Sequence, residues 1–363
     1  MYLALRDLHF AKGRFVLMGG VVALITLLLV LLSGLTAGLG NQSTSALAAL
    51  PADQIVFGAP AGDSAKASFT ESEVTRTQLA DWAAREGVAN AGLLGISQSR
   101  FQALGPAGAP SGTASVAVFG TEGSGLAPGP VAEGTVVVGT SLAKELELQA
   151  GSRATVGGTE LTVSAVVPDQ WYSHTGVVWT TLGDWRKLAH ITGQDAAATV
   201  IAVTSDGLSL DVDAANAAAG TVSTTRDGSF QALGSYKSEN GSLLLMQAFL
   251  YGISALVIVA FLTVWTVQRT RDVAVLKALG ASSGYVLKDA MVQAAVVLLA
   301  GAVTGGAAGV AGGVLAARAA PFLLTPETIL LPIAGIVVLG LAGAALAVRS
   351  ITRVDPLLAL GGN

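Results

Sequence analysis

The stretch FVLMGGVVALITLLLVLLSGLT at residues 15–36 decides the fold, because it carries no charge and is long enough to cross a bilayer. Lipid offers backbone polar groups no water partner, so a crossing segment must form a helix. Three further stretches have the same character, which predicts four membrane helices: residues 243–267, 290–317 and 329–348. Basic residues before the first stretch and small residues after it leave a secretory signal as an alternative for that segment.

The composition of the 363-residue chain supports a membrane protein. Hydrophobic residues make up 52% and charged residues 12%, and this charged fraction is about half that of an ordinary soluble domain. The absence of cysteine excludes a disulfide-stapled module. A net charge of −4 is typical of neither disordered chains nor nucleic-acid binders. We therefore expect a lipid bilayer as a partner and no nucleic acid.

The distribution of charge predicts the orientation. The two tails and the loop between the second and third spans hold nine basic and four acidic residues, whereas residues 39–242 hold ten basic and 19 acidic ones. Because basic flanks stay in the cytoplasm, both termini are predicted to be cytoplasmic. The long acidic segment is then extracellular, in a multi-pass protein of the cell membrane.

These patterns divide the chain into nine predicted segments. They are a cytoplasmic amphipathic segment (1–14), span one (15–38), an extracellular domain (39–241), span two (242–267), a cytoplasmic coupling helix (268–289), span three (290–317), a short outer loop (318–328), span four (329–348) and a cytoplasmic tail (349–363).

The predicted extracellular domain mixes strands and helices. Valine-rich apolar runs predict strands at residues 54–58, 114–119, 134–139, 160–167 and 198–204. Helical patterns occur at residues 75–85, 141–148 and 181–189, and glycine- and proline-rich loops at 105–113 and 122–130. The predicted fold class is four transmembrane α-helices with a large extracellular α+β domain between the first and second.

No motif in the sequence supports catalysis. The chain contains neither a G-x-x-x-x-G-K-[ST] phosphate loop nor a G-x-S-x-G elbow. The three histidines, His9, His174 and His190, lack the spacing of a metal site, so they are interpreted as structural or solvent-exposed. The chain is predicted to have no catalytic residue and no cofactor of its own.

The predicted cytoplasmic loop reads QRTRDVAVLKALGASSGYVLKDA, residues 268–290. Val273, Leu276 and Leu279 fall near helical spacing among basic residues, which favours a short amphipathic helix at the membrane surface. A basic loop that only obeys the charge rule remains the alternative.

Part of this loop, RTRDVAVLKALGAS at residues 269–282, resembles the signature of permeases in the lipoprotein-release, macrolide-export and cell-division class of ABC transporters. The run at 134–167 and the tail ITRVDPLLALGG at 351–362, with Asp355 and Pro356, resemble the same class. Many members have glutamate and isoleucine where this chain has Asp272 and Val273, a conservative departure.

The resemblance implies a homodimer that works with two separate ATP-binding cassette subunits, which hold ATP and magnesium. The residues on the matching motif would contact the ATPase: Arg269, Arg271, Lys277, Leu279 and Gly280. The opening residues 1–39 further resemble haem-exporting permeases of Gram-positive bacteria. This narrower resemblance implies haem as the transported ligand and detoxification as the purpose.

Ferric haem iron accepts anionic oxygen ligands, so acidic and phenolic side chains near the outer ends of the spans are candidates. Tyr236, Glu239, Leu243, Met246 and Leu250 are spaced 3, 4, 3 and 4 residues apart and would share one face of a helix. The spacing predicts Glu239 as the iron ligand, with Tyr236 and Met246 lining the haem site.

Glu327, in the outer turn between spans three and four, is the second candidate for a haem ligand, and Tyr172 is a candidate pocket residue from the domain. The alternative is that the helix face with Tyr236, Glu239 and Met246 only packs against another helix. Glu239 would then be a solvated residue that favours the helix start through the helix dipole.

Glycines recur every fourth residue from Gly301 to Gly313, which predicts close helix packing in span three. We expect this span to pack within its own subunit. Gly34 and Gly38 predict a close helix contact at the outer end of span one, and family analogy assigns the subunit interface to spans one and two. The alternative is that glycine is simply common in membrane helices.

Together these patterns predict the permease subunit of an ABC-type haem efflux pump. Haem from the outer membrane leaflet would enter a site between two permeases, and ATP-driven closure would expel it. Two alternatives stay open: a mechanical transmitter that controls a cell-wall hydrolase, and a permease that exports lipoproteins or a peptide.

Overall fold

The structure is a computed structural model that describes residues 12–60, 62–105, 108–123, 125–191, 196–207, 210–268, 275 and 279–351. Several predictions fall outside these residues. They concern most of the N-terminal segment, the tail with Asp355 and Pro356, and the basic residues Arg269, Arg271 and Lys277.

In chain order the helices are α1 (Lys12–Ala48), α2 (Arg76–Ala83), α3 (Thr140–Glu145), α4 (Leu182–Leu188), α5 (Val212–Ala219), α6 (Gly234–Gln268), α7 (Ser283–Ala316) and α8 (Pro326–Ile351). The strands are β1 (Gln54–Phe57), β2 (Val88–Leu104), β3 (Pro110–Thr121), β4 (Thr135–Gly139), β5 (Arg153–Val156), β6 (Thr159–Val167), β7 (Trp171–Tyr172), β8 (Thr175–Thr181), β9 (Val200–Ser205) and β10 (Val222–Thr225). A 3-10 helix covers Gly228–Ala232.

The chain divides into two compact units, which are described separately. Residues up to Leu39 and from Gly241 onward form the helical unit, and Gly40–Asn240 form the inserted domain. Four helices of the described chain, α1, α6, α7 and α8, are long and apolar enough to cross a membrane. The fold class is therefore four apolar helices with an α+β domain between the first and second.

Within the helical unit, glycines let α7 approach α1 at backbone distance. A Cβ added at Gly305 would lie 2.1 Å from the carbonyl oxygen of Ala23, and one at Gly301 would lie 2.7 Å from that of Gly19. The predicted packing of the third span within its own chain is confirmed. Close approach of this kind increases dispersion contacts, which stabilise helix pairs in lipid.

Gly34 and Gly38 also permit a close contact, but with a loop rather than a helix. A Cβ at Gly38 would lie 2.1 Å from the carbonyl oxygen of Pro321, and the N–H of Leu323 donates to the carbonyl of Gly34 at 3.0 Å. The prediction of a helix contact here was wrong, because the segment between α7 and α8 folds back across α1.

The inserted domain is built on one ten-stranded sheet in the order β10-β1-β9-β2-β3-β8-β4-β6-β5, with β7 paired to β8. The sheet closes on itself, because the end of β2 also pairs with β5. The valine-rich strands are buried on both faces of the sheet. One apolar cluster contains Trp82 and Trp185, and a second contains Phe119 and Trp179.

All five predicted strands and all three predicted helices of this domain occur, with small differences at their ends. The sequence patterns missed α5 and five of the strands, which are β2, β5, β7, β8 and β10. They also assigned a loop to residues 105–113, of which the part from Pro110 onward belongs to β3.

Candidate functional site

Glu239 lies where three segments of the inserted domain converge. The first segment is the end of α1 at Gln42 and Ser43, and the second is the turn Ser173–His174 between β7 and β8. The third is the start of α6, which carries Glu239 in its second turn. The Nε2 atom of His174 lies 2.9 Å and 3.2 Å from the two carboxylate oxygens of Glu239, and 3.1 Å from the Oγ of Ser43.

The turn that carries His174 is held by its backbone. Ser173 and His174 have φ of 48° and 64°, the pair of positive values that defines a two-residue type I′ hairpin. Neither residue is glycine, so each costs of order 1–3 kcal/mol of local strain. The N–H groups of Ser173 and His174 donate to the carbonyls of Ser43 and Gln42 at 3.1 Å and 3.0 Å, which fixes the turn against α1.

Tyr172 anchors the same hairpin in the apolar core. Its ring is 6% exposed and makes edge contacts with Phe69 and Phe119 at centroid distances of 5.9 Å and 5.4 Å. Burial raises the pKa of Tyr172, so the phenol stays protonated at neutral pH and does not supply an anionic oxygen. Its predicted place in the pocket stays a prediction.

Tyr236 precedes Glu239 by three residues on α6 and is half-buried. Its ring packs on Phe230 at 6.1 Å, and its edge lies 3.6 Å from the position of a Cβ on Gly40. Tyr236 and Glu239 therefore share one end of α6, as the spacing predicts.

The remaining residues of the predicted helix face lie further along α6, in the helical unit. Leu243 and Leu250 are half-buried, whereas Met246 is 54% exposed. Met246 therefore lies on a side of α6 that is exposed among the described residues.

Glu327 occupies the exposed first turn of α8. The helix start is capped reciprocally, because the N–H of Thr328 donates to the Oγ1 of Thr325 at 3.2 Å and the N–H of Thr325 donates to the Oγ1 of Thr328 at 2.9 Å. A carboxylate in this turn stabilises the helix through its dipole. The predicted role of Glu327 as a second haem ligand stays a prediction.

Two residues of the predicted ATPase contact are described. The N–H of Leu279 donates to the carbonyl of Val275, four residues earlier in the chain, at 3.0 Å. Gly280 follows with φ of +96°, a left-handed conformation that commonly ends a helix. The side chain of Leu279 is 81% exposed.

His174 and Ser43 are the residues of this site that sequence reasoning missed. His174 precedes Glu239 by 65 residues and Ser43 precedes His174 by 131, so local spacing cannot connect them. The turn also lacks the Asn-Gly or Asp-Gly signature that marks a type I′ hairpin.

The group at this site that could bind a ligand is the carboxylate of Glu239, which lies within hydrogen-bond distance of His174. Within the described part of the chain, no three histidine or acidic side chains are grouped closely enough to hold a metal ion. The carboxylate of Glu239 is an anionic oxygen donor of the kind that ferric haem accepts. The predicted role of Glu239 as the haem ligand stays a prediction.

Residues 244–356 match the family model described as FtsX-like permease C-terminal. Over its whole length the chain is also 24% identical to an uncharacterized ABC transporter permease of Mycobacterium tuberculosis, covering 99% of that protein. These matches agree with the resemblance to ABC transporter permeases that the sequence predicted.

Within that class, the chain is 23% identical to "Putative hemin transport system permease protein HrtB" of Staphylococcus epidermidis, and the alignment covers 100% of both chains. Among solved structures, the periplasmic region of MacB from Actinobacillus actinomycetemcomitans matches 50% of this chain and 92% of its own, with 11% identity and a TM-score of 0.36. That score is too low to carry an argument about function.

Proposed function

We propose that this chain is the permease of a haem efflux pump and that Glu239 is the axial ligand of the transported haem iron. The observation that carries the proposal is the full-length similarity to a protein named for hemin transport, combined with a carboxylate fixed at the start of α6. Anionic oxygen suits ferric iron, and the neighbouring phenol of Tyr236 and thioether of Met246 suit the apolar macrocycle.

The proposed complex contains two copies of the chain. Only 11% of the most apolar window of α6 is buried, against 44% for α7. Large side chains of α6 such as Phe249 and Leu256 are exposed in the part of the chain that the structure describes. A second copy packed on this side of α6 would enclose Met246 and bring two sites together at the outer leaflet.

ATP hydrolysis would come from a separate partner. The sequence has no phosphate loop of its own. Leu279, beside the turn residue Gly280, presents an exposed apolar side chain, which fits docking into a groove of an ATPase subunit. The basic composition around this turn supports a cytoplasmic position for it and an external one for the inserted domain.

In the proposed cycle, haem partitions into the outer leaflet and enters the open site between two permeases. Binding of ATP draws the ATPases together and tilts the turn at Leu279, which closes the site and expels haem. The scheme has two states, so haem must bind the open state more tightly than the closed one.

Haem titration of the purified permease in detergent, followed by absorption spectroscopy, tests the proposal. We expect saturable binding, and Glu239→Gln should weaken it by about tenfold or more and shift the spectrum. Glu86→Gln, at an exposed glutamate of the same domain, serves as the control. Glu327→Gln tests the second candidate ligand and should leave the spectrum unchanged.

Absence of haem binding by the wild type would overturn the proposal. That outcome would favour the mechanical transmitter or the lipoprotein and peptide exporter, neither of which needs a haem ligand. An unchanged spectrum in Glu239→Gln would remove Glu239 from the site.

A further inference from the structure

The imidazole of His174 contacts the carboxylate of Glu239 across two separate elements. Nε2 lies 2.9 Å and 3.2 Å from the carboxylate oxygens, and Ser43 adds a third oxygen at 3.1 Å. With Nε2 protonated, the ring donates to Glu239. The side chain of Ser43 is fully buried on α1, so its hydroxyl offers the imidazole a fixed neighbour.

We propose that His174 is a positioning residue for Glu239, which fixes the direction in which the carboxylate faces its ligand. This inference rests on the proposed function, because it assigns a supporting partner to the same carboxylate. A glutamate on an exposed helix turn samples several rotamers. An N–H donor bound to its oxygens selects one of them and leaves the remaining lone pairs in a set direction.

The imidazole is not needed to hold the turn on which it lies. The turn is fixed by the backbone N–H groups of Ser173 and His174, which donate to α1. The N–H of Trp171 donates to the Oγ of Ser45 at 2.9 Å, and the ring of Tyr172 is buried in the core. None of these contacts uses the imidazole, so we expect them to persist when the side chain of His174 is removed.

Positive φ at His174 also supports a role of the side chain. Asparagine and glycine adopt this conformation with less strain than most residues, yet the turn has histidine at φ of 64°. Strained positions of this kind persist where the surrounding structure fixes them, and they cluster at ligand sites. At this φ, Nε2 of His174 lies 2.9 Å from the carboxylate of Glu239 on α6.

The test is haem titration of the full permease with three variants at two histidines. His174→Ala removes the donor, whereas His174→Gln keeps an N–H donor at similar reach. His190→Ala is the matched control, because His190 is exposed, lies in the same domain and has φ of 53°. Alanine therefore meets a similar backbone cost at both positions.

We expect His174→Ala to bind haem roughly 10–100-fold more weakly, as loss of a ligand's supporting partner commonly does. Its absorption spectrum should also shift, because the iron–oxygen bond changes when the carboxylate loses its donor. His174→Gln should recover most of the affinity, and His190→Ala should match the wild type. Haem-free melting temperatures of the two alanine variants should agree, which separates positioning from folding.

Three results would overturn the inference. Equal binding by His174→Ala and His190→Ala, with Glu239→Gln impaired, would refute the positioning role and leave the proposed function standing. Tighter binding by His174→Ala would show that the histidine competes with haem. Unchanged binding in Glu239→Gln would refute the assignment of Glu239 itself, and the positioning role with it.

Discussion

Replacing Gly305 with alanine tests the backbone contact between α7 and α1. A Cβ at Gly305 would lie 2.1 Å from the carbonyl oxygen of Ala23 and 2.8 Å from its carbonyl carbon. Ordinary van der Waals contact begins near 3.4 Å. The two helices must therefore separate by about 1 Å, because backbone atoms cannot rotate away as the end of a side chain can.

The expected cost can be isolated with a second glycine on the same helix. Overpacking typically lowers stability by about 1–3 kcal/mol, whereas the higher helix propensity of alanine raises it by about 0.5–1 kcal/mol. At Gly312 a Cβ would meet only the Cδ2 of Leu31 at 3.4 Å. Gly312→Ala therefore has the higher helix propensity of alanine but no backbone clash. Because Gly305→Ala has both, it should be less stable than this control by about 1–3 kcal/mol.

Thermal unfolding of the detergent-solubilised protein measures the difference. The folded fraction is read by size-exclusion chromatography after stepwise heating of each variant. One kcal/mol corresponds to roughly 2–4 °C for 150–250 residues, so Gly305→Ala should melt below Gly312→Ala by at least that interval. Equal melting temperatures would refute the packing of α7 on α1 at backbone distance.

Two further predictions concern the inserted domain and the cytoplasmic turn. Burial raises the pKa of Asp184, but hydrogen bonds from the Gly134 N–H, Lys187 and Thr181 outweigh it and hold the pKa below its usual value. Its stabilisation is therefore present above the unfolded pKa near ~3.9 and lost as pH falls through the folded pKa. Asp184→Asn should destabilise the domain by about 1–3 kcal/mol at pH 7, measured by hydrogen exchange. The difference from the wild type should shrink as the pH falls below the unfolded pKa and through the folded one. Leu279→Glu should abolish copurification of an ATPase with the permease. Val166→Glu, at an exposed valine of β6, should retain it. Equal recovery of the ATPase with both variants would contradict docking at Leu279.

The parts of the fold that depend on local composition could be predicted from the sequence. An uncharged apolar stretch such as residues 15–36 has one stable state in lipid, so its helix follows from its length. Runs such as TVVVG in β4 are apolar and β-branched enough to identify a buried strand.

Elements stabilised by distant partners escaped prediction. The strand β2 reads VANAGLLGISQSRFQAL, which combines small, polar and apolar residues without alternation. It forms because β9, β3 and β5 supply its hydrogen bonds from elsewhere in the chain. Tertiary pairing therefore overrides a weak local preference in this strand.

The candidate site was predicted in part. Helical spacing placed Tyr236 and Glu239 together at the start of α6, and the structure agrees. The pairing of Glu239 with His174 depends on a hairpin turn docked against α1, and no short-range pattern encodes that docking. Sequence reasoning could propose the carboxylate but not the residue that orients it.

The most direct test of the account is haem-stimulated ATP hydrolysis by the permease and its ATPase in lipid nanodiscs. The account predicts that haem accelerates hydrolysis in the wild-type complex, while Glu239→Gln keeps the basal rate and loses the stimulation. A wild-type rate that does not respond to haem, or equal stimulation in Glu239→Gln, would contradict it.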